Sequence, residues 1–273
     1  MSSKIRLISE KAEGARAEKA KGAHTRNRLL QLMPDDEFAI LKIKSEEVPL
    51  VPRQILHHWR LPMEYAYFVE RGLVSVSARV DDSKFVEAWL IGSEGMIGAP
   101  LLLTHDKTPP HRRVVQRGGS ALRIPARDFL ALLDQLPTFH RILLRYIEVV
   151  LVQTSQSGAC NAVHSLKQRL ARWILVAANA LQEESLSVSQ SVLSQLLGVR
   201  RASVTECIAH LEREGSIRSV RRLITITDRQ LLRKASCSCA DLIDQEYRRQ
   251  LSCKAIIAAN ALRIPIQMST AFD

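Results

Sequence analysis

At Pro125 the hydrophobic repeat of this chain changes from two residues to about 3.6, and that switch constrains the fold more than any single motif. Upstream, Val74, Val76, Ala78 and Val80 alternate with Ser75, Ser77 and Arg79, the pattern of a strand with one face buried. Asp81-Asp82-Ser83-Lys84 is a polar turn, and Phe85 to Ile91 resumes as a second apolar strand, so the two read as a hairpin. Glycines at 72, 92, 95, 98, 118 and 119 punctuate further short runs such as Val114-Val115 and Ala121 to Ile124, the spacing of a compact antiparallel barrel or roll. Downstream, a short helix runs to Leu136 and breaks at Pro137. Phe139, Ile142, Tyr146, Val149, Val150 and Gln153 then recur at three and four residues along a long helix with no breaker before Gly158. Such a stripe needs a cover, and spacing alone leaves open whether the chain's own barrel or a second copy provides it.

A chain of 273 residues is longer than one compact core needs, so two domains are expected. The formal charge of +11 makes a polyanion, nucleic acid first, the partner to test. Residues 1–28 carry eight basic and three acidic side chains with almost no apolar periodicity and read as a flexible tail, and a short helical segment follows at Leu29 to Leu41. The first 28 residues lack the apolar core of a leader, and the greasiest run, Ile142 to Val152, is interrupted by Arg145 and Glu148. With an odd count of five cysteines, reduced thiols in a cytoplasmic protein with no membrane segment are expected.

The sharpest local signal runs from Ser187 to Gly215. Ser189 is placed to cap a helix with Leu193, Leu196 and Leu197 on its apolar face, and Gly198 supplies the tight corner into a second helix. Val199 plugs the space between them. In the second helix Val204, Ile208 and Leu211 point inward, which turns Ala202, Thr205, Glu206, Ala209 and Arg213 outward, with Arg201 at the leading end. Two short β-like runs over Ser216 to Ile226, with Val220-Arg221-Arg222 between them, read as a basic wing. A helix pair of this kind with such a wing is a DNA-binding arrangement, the second helix lying in the major groove.

Five stretches carry a resemblance: Tyr67-Phe68-Val69 to Gly72; Leu90-Ile91-Gly92 to Gly98; Ala159-Cys160-Asn161-Ala162-Val163-His164-Ser165; Gln168-Arg169-Leu170-Ala171-Arg172-Trp173; and Leu197-Gly198-Val199-Arg200-Arg201-Ala202-Ser203-Val204-Thr205. Over residues 29–240 the chain resembles the Crp/Fnr family of transcription regulators. The resemblance implies an α+β fold: an antiparallel β-roll like a cyclic-nucleotide-binding domain at 29–137, a dimerisation helix at 138–158, a winged helix-turn-helix at 159–240 and an extension at 241–273. It makes the chain a homodimer on palindromic DNA, with Phe139, Ile142, Tyr146, Val149, Val150 and Gln153 at the subunit interface and RNA polymerase as a further partner. Arg201 matches the arginine that reads guanine, where a guanidinium bridges O6 and N7. Ala202, Thr205 and Glu206 complete the base-reading face. Ser189, Ser191, Arg200 and Ser203, with Arg218, Arg221 and Arg222 from the wing, are assigned to phosphate. Ala202 departs from the glutamate usual at that position. Glu206, which can accept from cytosine N4, implies a different recognition site.

In the members that bind cyclic AMP, a Gly-Glu-Leu and an Arg-Ser-Ala segment hold the nucleotide. Here the segments read Gly98-Ala99-Pro100-Leu101 and His111-Arg112-Arg113-Val114: the carboxylate is gone, Pro100 removes an amide donor, and tight cyclic AMP binding is not expected. The first cysteine is Cys160, beyond the barrel, so the N-terminal iron-sulfur cluster of the oxygen-sensing members is not expected either. Cys237-Ser238-Cys239 lacks the paired spacing of a zinc ribbon and reads as inert thiols, and His57, His58, His105 and His111 show no ligand spacing, so no cofactor or metal is assigned. Ala255 to Leu262 is a short apolar segment expected to pack on the body or to lie disordered. With no Gly-x-Ser-x-Gly elbow, no phosphate-cradling Gly-rich loop and no His-Glu-x-x-His, the chain is not expected to be an enzyme. The alternative to a regulator is an effector or redox sensor acting through protein contacts with degenerate DNA binding, which Glu206 and the absence of a wing-tip glycine at Arg222 would favour.

Overall fold

The computed structural model describes residues 25–82, 84–103 and 108–252; His105 and the segment Ala255 to Leu262 lie outside them. Nine strands and eight α-helices are seen among the described residues. The first helix, α1 (Asp35–Ile43), follows a 3-10 turn at Leu30–Leu32 and carries Asp35, Asp36 and Glu37 at its positive N-terminal end. Strands β1 (Glu46–Leu50), β2 (Ile55–His57), β3 (Tyr65–Arg79), β4 (Phe85–Ile91), β5 (Met96–Ile97) and β6 (His111–Pro125) form one antiparallel sheet. Its order is β1-β6-β3-β4, with β2 added to β6 and β5 to β3. The expected hairpin is the β3–β4 pair, closed where Val80 N donates to Lys84 O.

Helices α2 (Ala126–Gln135), α3 (Pro137–Val163) and α4 (Leu166–Leu181) follow. Next come β7 (Ser185–Ser187), α5 (Gln190–Leu197), α6 (Arg201–Arg213), β8 (Ile217–Val220) and β9 (Leu223–Ile226), then α7 (Arg229–Ala235) and α8 (Cys239–Gln250). Strands β7, β9 and β8 make a second small sheet.

Three expectations are corrected. The tail does not reach residue 28: Asn27 is fully buried, its amide donating to Val69 O and Gly95 O while its carbonyl accepts from Leu29 N and Leu30 N. Two of the four hydrogen bonds on this buried amide tie the segment to the barrel, at β3 and at Gly95, and two hold its own turn. As the spacing implied, α2 ends ahead of Pro137, which opens α3 at a position where its missing N–H costs nothing. The amides of Thr138 and Phe139, which have no acceptor within the helix, donate to the Glu37 carboxylate, which caps α3 from another helix. The long helix also runs through Gly158 and stops only at His164, where the backbone is extended and Ser165 starts α4 with a reciprocal Ser165–Gln168 capping box.

The third correction concerns the stripe Phe139, Ile142, Tyr146, Val149, Val150 and Gln153. All six side chains are buried within a single chain. Phe139 packs with Phe68 and Phe129, and Tyr146, Val149 and Val150 share one core with Ile243 and Tyr247 of α8. Tyr247 Oη donates to Gln153 Oε1 at 3.4 Å. The cover is the chain's own barrel and its own C-terminal helix, so the stripe is filled within one chain. The opposite face of α3 leaves Leu144 39% and Leu151 60% exposed.

Both faces of β3 are buried, Ser75 and Ser77 included, where alternation had implied one. Its outer side faces a cleft of about 1510 Å³ whose far wall is the C-terminal domain. That domain shares apolar core with the barrel through Leu73 and Leu90. Trp173 Nε1 donates to Glu87 Oε1 at 2.8 Å, and Arg117 pairs with Glu183 at 3.1 Å. The two surfaces also meet closely at Gly92, where a Cβ would fall 2.7 Å from Ala180 Cβ.

Candidate nucleic-acid interface

The helix pair is built by local rules. Ser189 Oγ accepts from Val192 N at 3.2 Å and caps α5. Gly198 ends it in the left-handed region at φ 67°, which a β-carbon would disfavour, and Val86 of β4 lies 3.4 Å from where that carbon would be. Arg169 donates to the terminal Leu197 carbonyl at 2.8 Å. Val204, Ile208 and Leu211 are buried against α4, holding α6 by one face.

The other face is open. Arg201, Ala202, Thr205 and Glu206 are exposed, and their i, i+4 spacing aligns them in two adjacent rows along the first turns of α6. Thr205 Oγ1 lies 2.7 Å from Gln190 Oε1 and 3.1 Å from the Arg201 carbonyl, so the start of α5 is stitched to α6. Arg200 is exposed just ahead of α6, and Ser203 is half-buried.

The wing is fastened to the same helix. Ser219 N donates to Glu212 Oε1 at 2.6 Å, and buried Ser216 donates to Leu211 O. At its tip Arg221 adopts φ 57°, a conformation that a non-glycine residue pays for in backbone energy. Arg218, Arg221 and Arg222 are all exposed.

Ser189, Gln190, Ser191, Arg201, Arg221 and Arg222 line one groove of about 440 Å³ between the wing tip and the first turn of α6. Its charged lining is guanidinium only, and its hydroxyls retain protons to donate, because Ser189 spends an acceptor lone pair on its cap. The groove suits a phosphate oxygen chain. Arg218 and Ser203 do not line it. Gln190 is the member that sequence reasoning missed, although its place after a capping serine was visible. Ser189, Ser191, Arg200 and Arg222 also line the larger cleft, opposite Arg53, Lys84, Arg112 and Arg117 of the barrel.

In the barrel, Gly98 is followed by a 3-10 turn over Ala99–Leu102, and Pro100 lies inside it. Arg112 stacks on Phe85 at 3.9 Å, and Arg113 is buried with Nη1 donating to His111 O at 2.9 Å. Burial and the neighbouring Arg113 charge lower the pKa of His57 to about 4, so its ring is neutral, and Nε2 donates to Tyr65 O.

Residues 168–235 match the Crp-like helix-turn-helix domain family. Among curated proteins none matches the chain. Solved structures share its fold at low identity. CLP, a c-di-GMP responsive global regulator of Xanthomonas campestris, is 16% identical, with 71% of this chain and 100% of that one covered at a TM-score of 0.61. FixK2 of Bradyrhizobium japonicum is also 16% identical, covering 71% and 98% at 0.61. A regulator assigned to the Crp/Fnr family from Eubacterium rectale is 13% identical, covering 74% and 94% at 0.59. No helix among the described residues is long and apolar enough to cross a membrane. The chain thus carries a Crp-like helix-turn-helix domain on the fold of the Crp/Fnr regulators.

Proposed function

We propose that this protein is a transcription regulator of the Crp/Fnr type that binds double-stranded DNA in the cytoplasm as a homodimer on a palindromic site. The observation that carries the reading is the guanidinium- and hydroxyl-lined groove between the wing tip and the first turn of α6. With a phosphate seated there, α6 points its N-terminal turns at base edges. Arg201 reads guanine, Glu206 accepts from cytosine N4, and Ala202 and Thr205 leave room for the backbone to approach. Ser189, Ser191, Arg200 and Ser203 hold one phosphate stretch, and Arg218, Arg221 and Arg222 hold another from the wing.

Two copies are expected to meet along the open face of α3, where Leu144 and Leu151 stand seven residues apart and exposed. In such a dimer the two recognition helices are expected on half-sites about one duplex turn, roughly 34–36 Å, apart. The test is selection of bound sites from random duplexes, followed by two variants. Arg201→Ala should cost about 1–3 kcal/mol and relax preference at one base pair. Arg221→Ala should weaken all duplexes alike and reduce the salt slope by about one. If both changes act without regard to sequence, α6 is not the reading helix.

A further inference from the structure

Cys160 at the end of α3, His164 just beyond it, Cys237 between α7 and α8, and Cys239 at the first residue of α8 bring three sulfurs and one imidazole nitrogen within 4.8 Å of one another. We propose that these four residues bind one zinc ion in a closed structural site that ties the base of the DNA-binding domain to the long helix.

The geometry fits the ion. Tetrahedral zinc, with Zn–S about 2.3 Å and Zn–N about 2.0–2.1 Å, sets its ligand atoms roughly 3.5–3.8 Å apart. Cys160 Sγ and Cys237 Sγ lie 3.5 Å apart, and Cys239 Sγ lies 3.7 Å from His164 Nδ1. All four belong around a single point, too close for a polynuclear cluster. The sulfurs are buried, in an apolar cluster of their own, which suits a site without an open coordination position.

Groups that would support metal-bound thiolates stand close by. Gln156 Nε2 donates to Cys239 Sγ at 3.1 Å. Arg169 and Arg172, from the first turns of α4, lie near enough for their charges to act on Cys160. Zinc with three thiolates and a neutral imidazole carries a net charge of −1, which these two cations offset, and loading expels the three thiol protons to solvent.

The chain order gives the site its purpose. One ligand pair precedes the Crp-like domain at 168–235 and the other follows it, so the ion would close that whole domain as a loop. Clips that close long loops remove much chain entropy from the unfolded state. They also fix α8, which covers the buried stripe of α3, at its first residue.

The full-length chain, purified without chelator, should contain about one zinc per chain by elemental analysis. Exchange into cobalt should give the intense thiolate-to-metal charge-transfer bands of a tetrahedral, sulfur-rich site. Zinc content should fall about tenfold or more in a Cys237→Ser, Cys239→Ser double variant, and survive in His164→Cys, which keeps four soft ligands. Should the double variant not fold, titrating the wild-type thiols with an organomercurial while following zinc release carries the same test. A wild-type chain that takes up neither zinc nor cobalt, or in which Cys160 and Cys237 are joined as a disulfide, would overturn the proposal. Neither result bears on DNA reading by α6, which the Arg201 variant tests separately.

Discussion

Glu87 should make the contact between the barrel and the DNA-binding domain sensitive to pH, and replacing it with glutamine should remove that sensitivity. It lies on β4 and accepts from Trp173 of α4 through Oε1, while Oε2 is sealed from solvent without a partner. Burial raises its pKa to about 8, against the opposing effects of the Trp173 hydrogen bond and the Arg172 charge. The sign follows from proton counting. Below about pH 4.5 the carboxyl is neutral in both folded and unfolded chains. Between 4.5 and 8 the unfolded chain has lost the proton and the folded chain keeps it, so stability falls as pH rises; above 8 the folded chain bears the full cost of a buried anion. At 1.36 kcal/mol per pH unit the ceiling on that cost is on the order of 5 kcal/mol, and a domain that swings off the barrel to hydrate the carboxylate would lower it. Urea unfolding of wild type and Glu87→Gln, compared from about pH 5 to pH 9, isolates this group, because every other titration cancels in the difference. The variant should gain on the wild type steadily as pH rises, with Trp173 emission in the wild type shifting over the same range. A difference that stays flat with pH would refute the reasoning.

Asn27→Ala should cost about 2–3 kcal/mol in unfolding free energy, since it orphans two buried carbonyls and two amides, whereas a true tail residue would cost nothing. Arg221→Gly should raise the thermal midpoint slightly, by about 0.5–1 kcal/mol of relieved backbone cost, while weakening binding to every duplex; a loss of stability would show that φ 57° carries no cost there. Leu151→Asp should shift sedimentation toward monomer without lowering helical content, and an unchanged dimer would remove the open face of α3 from consideration.

What the sequence disclosed was whatever local rules decide. The helix pair around Gly198 needed only a capping serine, a left-handed glycine and a three-residue inward row, all within about 25 residues, and the β3–β4 hairpin needed only alternation and a polar turn. The end of the long helix was also encoded, as Ser165-x-x-Gln168, but Gly158 is the louder signal in a linear reading even though a helix tolerates one glycine. The cover of the α3 stripe could not be read from spacing, because periodicity defines a face and says nothing of what meets it; Ile243 and Tyr247 lie in a segment that looked like an appendage. Burial of both faces of β3 likewise depends on a domain contact whose partners are far apart in the chain. The four-residue Cys/His cluster is the extreme case, with ligand pairs separated by an entire domain and each pair unremarkable alone.

The contacts holding the DNA-binding domain to the barrel are of unequal worth. Arg117–Glu183 is a half-exposed pair that contributes under about 1 kcal/mol, and the Trp173–Glu87 bond rests on a carboxyl that weakens the contact once it ionises. Leu73 and Leu90 supply apolar cohesion, yet the cleft beside them has basic walls on both sides, Arg53, Lys84, Arg112 and Arg117 facing Arg200 and Arg222. Like charges across a cleft oppose closure, most strongly at low salt. The interior of the helix-turn-helix has no such conflict: its core is largely apolar, buried Ser216 is hydrogen-bonded to Leu211 O, and both ends of α5 are satisfied. Any agent that shifts this protein between states therefore has its easiest purchase at the β4–α4 contact, leaving the geometry of α6 and the wing intact.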